Sequence, residues 1–166
     1  TEITDSASFG FSGISVAICG DVNGDGIGDI LLGAFGIQDA QQHDVGGAYV
    51  IYGKAGGFGA GSLDLQSLPV ADKTKIIGTY YAASAADSAG LAVAFLKDQN
   101  GDGQDEIVVA DPDASPLGRG FAGEVSVIYG AANLPASMVL SSLNGTTGFR
   151  YEGAVGGDKL GSYITT

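Results

Sequence analysis

The sequence is short of most residues that chemistry usually needs. It has one cysteine, Cys19, one histidine, His43, one methionine and no tryptophan. A single cysteine excludes an intrachain disulfide and does not fix the redox compartment. Only 7 Lys and Arg stand against 19 Asp and Glu, a formal net charge of −12. That balance argues against nucleic acid and anionic membrane surfaces as partners, and it favours cations. No apolar run approaches the ~18 residues of a membrane span, so membrane insertion is not expected. The opening "TEITDSAS" (Thr1–Ser8) has neither the basic nor the apolar region of a signal peptide. No stretch keeps a helical period. What is plentiful is glycine, 29 of 166 residues, set between short apolar runs in a chain that is 45% hydrophobic. This is a folding sequence with tight turns, short strands and enough length for one ordinary core.

The chain also repeats itself. Gly13–Gly53 falls on Gly90–Gly130 without a gap, and Val16/Val93, Ala17/Ala94, Asp21/Asp98, Asn23/Asn100, Asp25/Asp102, Ile30/Ile107 and Tyr52/Tyr129 are among the identities. "SLDLQSL" (Ser62–Leu68) aligns with "SMVLSSL" (Ser137–Leu143), and "KIIG" (Lys75–Gly78) with "RYEG" (Arg150–Gly153). "DSAG", ending at Gly90, is echoed by "DKLG", ending at Gly161, where a third unit opens. Each unit reads as four strands rich in Val, Ile and Tyr. They are Ile14–Cys19 or Leu91–Leu96; the stretch around Ile30–Leu32, or Glu106–Ala110; Ala48–Tyr52 or Val125–Tyr129; and Lys75–Tyr81 or Phe149–Gly153. "SLDLQSL" reads as a short helical turn or a fifth extended piece. The expectation is an all-β chain of antiparallel four-stranded β-propeller blades. Two would be complete and a third represented by its first strand. One such sheet cannot bury both faces alone, so blades need neighbours.

Between the first two strands of each unit lies an acidic loop. "DVNGDGIGD" places Asp21, Asn23, Asp25, Ile27 and Asp29 at loop positions 1, 3, 5, 7 and 9, and "DQNGDGQDE" places Asp98, Asn100, Asp102, Gln104 and Glu106 there. Alternate positions in a tight loop direct side-chain oxygens to one centre. Gly26 and Gly103 permit the turn, and position 7 can offer its backbone carbonyl. Hard oxygen ligands in this number suit Ca²⁺ better than Mg²⁺, and the absence of His and Cys from the loops argues against zinc. An EF-hand shares D-x-N-x-D-G but needs a glutamate at position 12 between helices. Leu32 and Val109 stand there, inside strands. A metal-free Asn-Gly or Asp-Gly turn uses similar residues. It does not explain why both copies keep three carboxylates in register, which repel one another without a cation.

These residues carry a resemblance. "SGISVAICGDVNGDGIGDILLGA" (Ser12–Ala34) and "AGLAVAFLKDQNGDGQDEIVVADP" (Ala89–Pro112) resemble FG-GAP repeats, the blades of integrin alpha-subunit β-propellers and of many bacterial extracellular proteins. The linker Gly53–Leu68 is similar to the bacterial, haemolysin-type versions. The resemblance runs from about Phe9 to Gly161. The Phe-Gly signature is Ser12-Gly13, Ala89-Gly90 and Leu160-Gly161 here, and Gly-Ala-Pro is Gly33-Ala34-Phe35 and Ala110-Asp111-Pro112. The resemblance implies blade 1 over residues 1–88 with its calcium loop at 21–29, blade 2 over 89–160 with its loop at 98–106, and the start of a third repeat over 161–166. It also implies two Ca²⁺ sites, a closed ring of blades and a protein or glycan ligand. Further blades would come from the parent chain or from other copies.

The remaining reactive residues read as structural. Cys19 aligns with Leu96 and is expected as a small core residue. His43 sits in a Gly/Gln-rich loop without a nearby acid in view, and Asp105, at loop position 8, is expected as an exposed extra charge. Tyr52 and Tyr129 are expected in packing, while Arg119 and Arg150 have no assigned partner. No nucleophile motif or acid/base pair stands outside the loops. The sequence therefore points to a calcium-stabilised interaction or adhesion module, secreted or at the cell surface and not itself an enzyme. The alternative is a non-catalytic or carbohydrate-binding part of a larger secreted hydrolase.

Overall fold

A computed structural model of the chain describes residues 2–6, 11–59, 61–82 and 87–165. Phe9, where the resemblance begins, and Thr166, the end of the expected third unit, lie outside these. The described residues form an all-β structure of eleven strands: β1 (Glu2–Thr4), β2 (Ser12–Gly20), β3 (Asp29–Ala34), β4 (Gly47–Ile51), β5 (Ser62–Asp64), β6 (Lys73–Ile77), β7 (Ala92–Leu96), β8 (Glu106–Asp111), β9 (Glu124–Ile128), β10 (Ser137–Val139) and β11 (Gly148–Glu152). Among the described residues, helical structure is limited to three single 3₁₀ turns at Val70–Asp72, Pro116–Gly118 and Leu140–Ser142, none long enough to cross a membrane.

The strands form three sheets, of order β1-β5, β10-β6-β4-β3-β2 and β11-β9-β8-β7, and none closes on itself. The second and third each contain a four-stranded antiparallel meander, with Leu31 opposite Val50 in one and Val108 opposite Val127 in the other. The expectation of purely antiparallel sheets needs correcting. Ser137–Val139 leaves the second unit and pairs in parallel with Lys75–Ile77, giving the first unit's sheet a fifth strand. Its repeat counterpart, Ser62–Asp64, pairs in parallel with Glu2–Thr4. β1 thus stands to β5 as β6 stands to β10. The first strand expected for a third unit is also absent among the described residues; Leu160 alone makes a bridge, to Gly123.

Alternation in the strands decides how the sheets stack. Leu31, Ala48 and Val50 from one meander meet Val93, Ile107, Val109 and Ile128 from the other in a shared buried core, joined by Leu140. The opposite face of the first meander buries Leu32, Tyr49 and Ile51 against Leu65 and Leu68. On the far face of the second, Ala94, Val108 and Val127 pack with Phe149 and Ile164. Repeat-equivalent residues face the same way: Leu31, Val50 and Ala17 look toward the second meander, and Val108, Val127 and Ala94 occupy the corresponding face of that second meander.

A backbone joint connects each unit to the next. Gly46 bridges to Ala89, and Gly123 bridges to Leu160 in the same parallel sense. Gly78 N–H donates to Gly46 O, and Gly153 N–H to Gly123 O, each at 2.8 Å. Gly90 sits within this joint at φ +87°, where a Cβ would lie 1.9 Å from Gly47 O. Both the left-handed backbone and the contact require glycine. Beside it, Ser88 N–H donates to Asp111 Oδ1 at 3.0 Å and Ser88 Oγ to Asp113 Oδ2 at 2.7 Å. Burial pushes the Asp111 carboxyl up to about 7, aided by repulsion from Asp87 and resisted by the Ser88 and Asp113 amides.

Two outcomes follow from the joint. Gly90→Ala is expected to lower stability by about 3 kcal/mol or more in urea unfolding, because backbone strain and a backbone clash combine. Asp111 is protonated in the folded state where the unfolded chain, at 3.8, is already ionised. Folding therefore binds a proton in that window, and this group's contribution to stability falls as pH rises from about 4 to about 7. Asp111→Asn keeps the amide and hydroxyl bonds, which all go to Oδ1. It is expected to flatten the pH profile and to stabilise the protein above neutrality, read from melts across pH.

Candidate functional site: two adjacent acidic loops

Both loops fold on the same internal frame. In the first, Asp21 accepts the amides of Asp25 on Oδ1 at 3.1 Å and of Gly26 on Oδ2 at 2.9 Å. Asn23 Oδ1 accepts the Asp25 amide at 3.1 Å, and Asp25 Oδ1 the Ile27 amide at 2.8 Å. In the second, Asp98 accepts the amides of Asp102 at 2.9 Å and Gly103 at 3.0 Å. Asn100 Oδ1 accepts the Asp102 amide at 3.0 Å and Asp102 Oδ1 the Gln104 amide at 2.9 Å. The amide nitrogens of Asn23 and Asn100 each donate to the position-5 aspartate, at 3.0 and 2.8 Å. Short Asx side chains bond their own backbone two to five residues on, which curls the chain over glycines at positive φ, Gly24 and Gly26 or Gly101 and Gly103.

The ninth position differs between copies. Asp29 is fully buried; its Oδ2 accepts the Val22 amide at 2.9 Å and its Oδ1 the Gly53 amide at 2.8 Å. Burial raises its pKa, the Gly53 and Val22 amides oppose that, and the charges of Asp25 and Asp21 raise it further. Glu106, also fully buried, gives Oε2 to the Gln99 amide at 2.8 Å. Its Oε1 is buried with no hydrogen-bond partner, as is Gln104 Oε1. The extra methylene of glutamate carries one oxygen past the backbone groups that aspartate engages.

All ten residues singled out by the sequence thus lie in these two loops, and the structure brings the loops into contact. Asp105 N–H donates to Asp21 O at 2.9 Å, and Asp21 N–H returns a bond to Asp105 Oδ2 at 2.9 Å. Ala131 N–H reaches Val22 O at 2.9 Å. Within each loop, however, the carboxylates at positions 1 and 5 are turned to the loop's own amides. Among the described residues, no three Asp, Glu, His or Cys side chains stand together as a group that could hold a metal ion.

Several single-residue expectations are corrected. Asp105 is buried at 5% exposure rather than a loose surface charge. Its carboxylate also takes Lys97 Nζ at 2.6 Å. Burial works against its ionisation, but the Lys97 ammonium and the Asp21 amide outweigh this and hold its pKa below the ordinary carboxylate value. The visible signal was that position 8 breaks the repeat, with Gly28 in one loop and an acid in the other. Cys19 is exposed rather than in the core. β2 has an irregularity between Ile18 and Gly20, and Cys19 takes a left-handed φ of 72°, so strand alternation fails there. His43 does have an acid close by in sequence: its Nδ1 lies 2.8 Å from Asp39 Oδ2, and its ring stacks on Tyr80. Arg119 pairs with Glu152 and Arg150 with Glu124, each at 3.0 Å. Tyr52 bonds Thr74 Oγ1 at 2.6 Å and Tyr129 packs edge-on to Phe149, both structural as expected.

No protein-family model matches the chain, and no curated protein matches it either.

The Asp105 bridge is testable by itself. Asp105→Ala is expected to cost about 1–3 kcal/mol in urea unfolding, because it leaves the Asp21 amide without its acceptor. Lys97→Met is expected to destabilise clearly less than Asp105→Ala in the same unfolding measurement, since that ammonium is largely in water.

Proposed function

We propose that the chain is a calcium-stabilised interaction module of FG-GAP-like propeller blades, secreted or at the cell surface, with no catalysis of its own. The observation that carries this reading is the pair of nine-residue loops, which keep the same oxygen-bearing residues in register on one hydrogen-bond frame. Asp21, Asn23, Asp25 and Asp29, with the carbonyl of Ile27, would hold one Ca²⁺. Asp98, Asn100, Asp102 and Glu106, with the carbonyl of Gln104, would hold the other. Every donor is a hard oxygen, which suits Ca²⁺ and not a softer metal.

Two features of the loops favour a cation. Glu106 Oε1 is a buried carboxylate oxygen without a partner, and such an atom is costly unless something positive meets it. Asp29 is destabilised as an anion by burial and by Asp25 and Asp21, a burden that a nearby cation relieves. Bound Ca²⁺ would supply charge neutralisation and a fixed point between the first two strands of each unit. Extracellular calcium sites commonly work at ~10⁻⁴–10⁻³ M, which fits the proposed location.

Binding to the folded state alone contributes about 2.7 kcal/mol per site at a hundredfold excess over Kd. Millimolar Ca²⁺ is therefore expected to raise Tm by several degrees over the chelated protein, Mg²⁺ to raise it less, and Asp25→Ala to remove part of the gain. A melt that EDTA and Ca²⁺ leave unchanged would sink the calcium reading.

A further inference from the structure

Two apolar surfaces of this chain are the repeat counterparts of surfaces already mated within it. Val16 and Ile18, paired across the strands with Leu32 and Ile30, lie on the face of the first meander that looks away from the second. They are 54% and 66% exposed, and Ile14 on the same strand is 54% exposed. The counterparts of Val16 and Ile18, Val93 and Phe95, belong to the face that packs on the first meander, and there Val93 is 9% exposed. The complementary half of that contact is Ala17, Leu31 and Val50, whose counterparts are Ala94, Val108 and Val127 on the far face of the second meander. Over these three sits Ile164 from the loop after Gly161, at the repeat position of Val93.

The geometry points to head-to-tail self-association: we propose that the far face of the second meander receives the Val16 and Ile18 stripe of a second copy. The occupant is argued from continuity with the contact inside the chain, where the same two faces meet in the same order. Val16 of the second copy takes the seat of Ile164, which is only partly buried there. At the outer edge, β11 of the first copy takes on β5 of the second the place that β6 holds on β10, displacing the three-residue β1. A contact between unlike faces propagates, closing into a ring or extending as a fibre. This association needs no bound cation, so it stands apart from the calcium reading.

The test is the mass of the full chain by sedimentation and light scattering, from micromolar to near-millimolar, with Ca²⁺ and separately with chelator. A reductant is present throughout because Cys19 is exposed. The expected result is mass rising with concentration in multiples of 16.5 kDa. The double variant Val16→Lys with Ile18→Lys changes residues already in water, so it keeps its Tm while association weakens by about two orders of magnitude. A 16.5 kDa species at every concentration, or association that the double variant leaves intact, overturns the proposal. Mass that rises while EDTA leaves the melt unchanged supports self-association and defeats only the calcium reading.

Discussion

Each meander of this protein is apolar on both faces, and that constraint governs the rest. Val108 and Val127 point one way along the second meander while Val109 and Ile128 point the other, and all four are buried. A sheet of this kind cannot fold with one side in water, because each buried aliphatic side chain contributes roughly 1.5–3 kcal/mol that exposure would forfeit. The units must therefore stack. Stacking requires the chain to pass from one sheet to the next at close range, and the glycine joint around Gly46, Gly78 and Gly90 makes that passage possible. Cβ atoms there would sit within 2.4 Å of neighbouring carbonyls.

The acidic loops are positioned by the same stacking. Each connects the first two strands of its unit, so bringing the units face to face brings the loops together. The contact is mostly backbone, between Asp21 and Asp105 and between Val22 and Ala131. The protein places many of its negative charges at this contact. It manages the resulting repulsion with amide donors inside each loop and with Lys97. Asp29 and Glu106 show how little separates the two copies. One methylene decides whether the second carboxylate oxygen is engaged.

Much of this was legible in the sequence because repetition checks each reading against a second copy. Strand positions came within one to four residues of the observed ones, and the unit opening at Gly90 is where the joint lies. What was not legible depended on departures from periodicity. Cys19 reads as core by alternation, and only the irregular backbone at that point turns it outward. Asp105 reads as surface because a charge beside a turn usually is, and its burial needs the neighbouring loop, far away in sequence. The β10 pairing was equally hidden: three residues of modest strand propensity say nothing about which sheet will take them.

That last pairing bears on where the chain can be divided. By repeat, a boundary falls near residue 88. By hydrogen bonding it does not, because Ser137–Val139 belongs to the sheet of the unit before it. Cutting at the repeat boundary would strip an outer strand from one half and leave the other with an unpaired segment. The two units are interleaved, so they are expected to melt as one cooperative block, with partial unfolding confined to the ends of the stack.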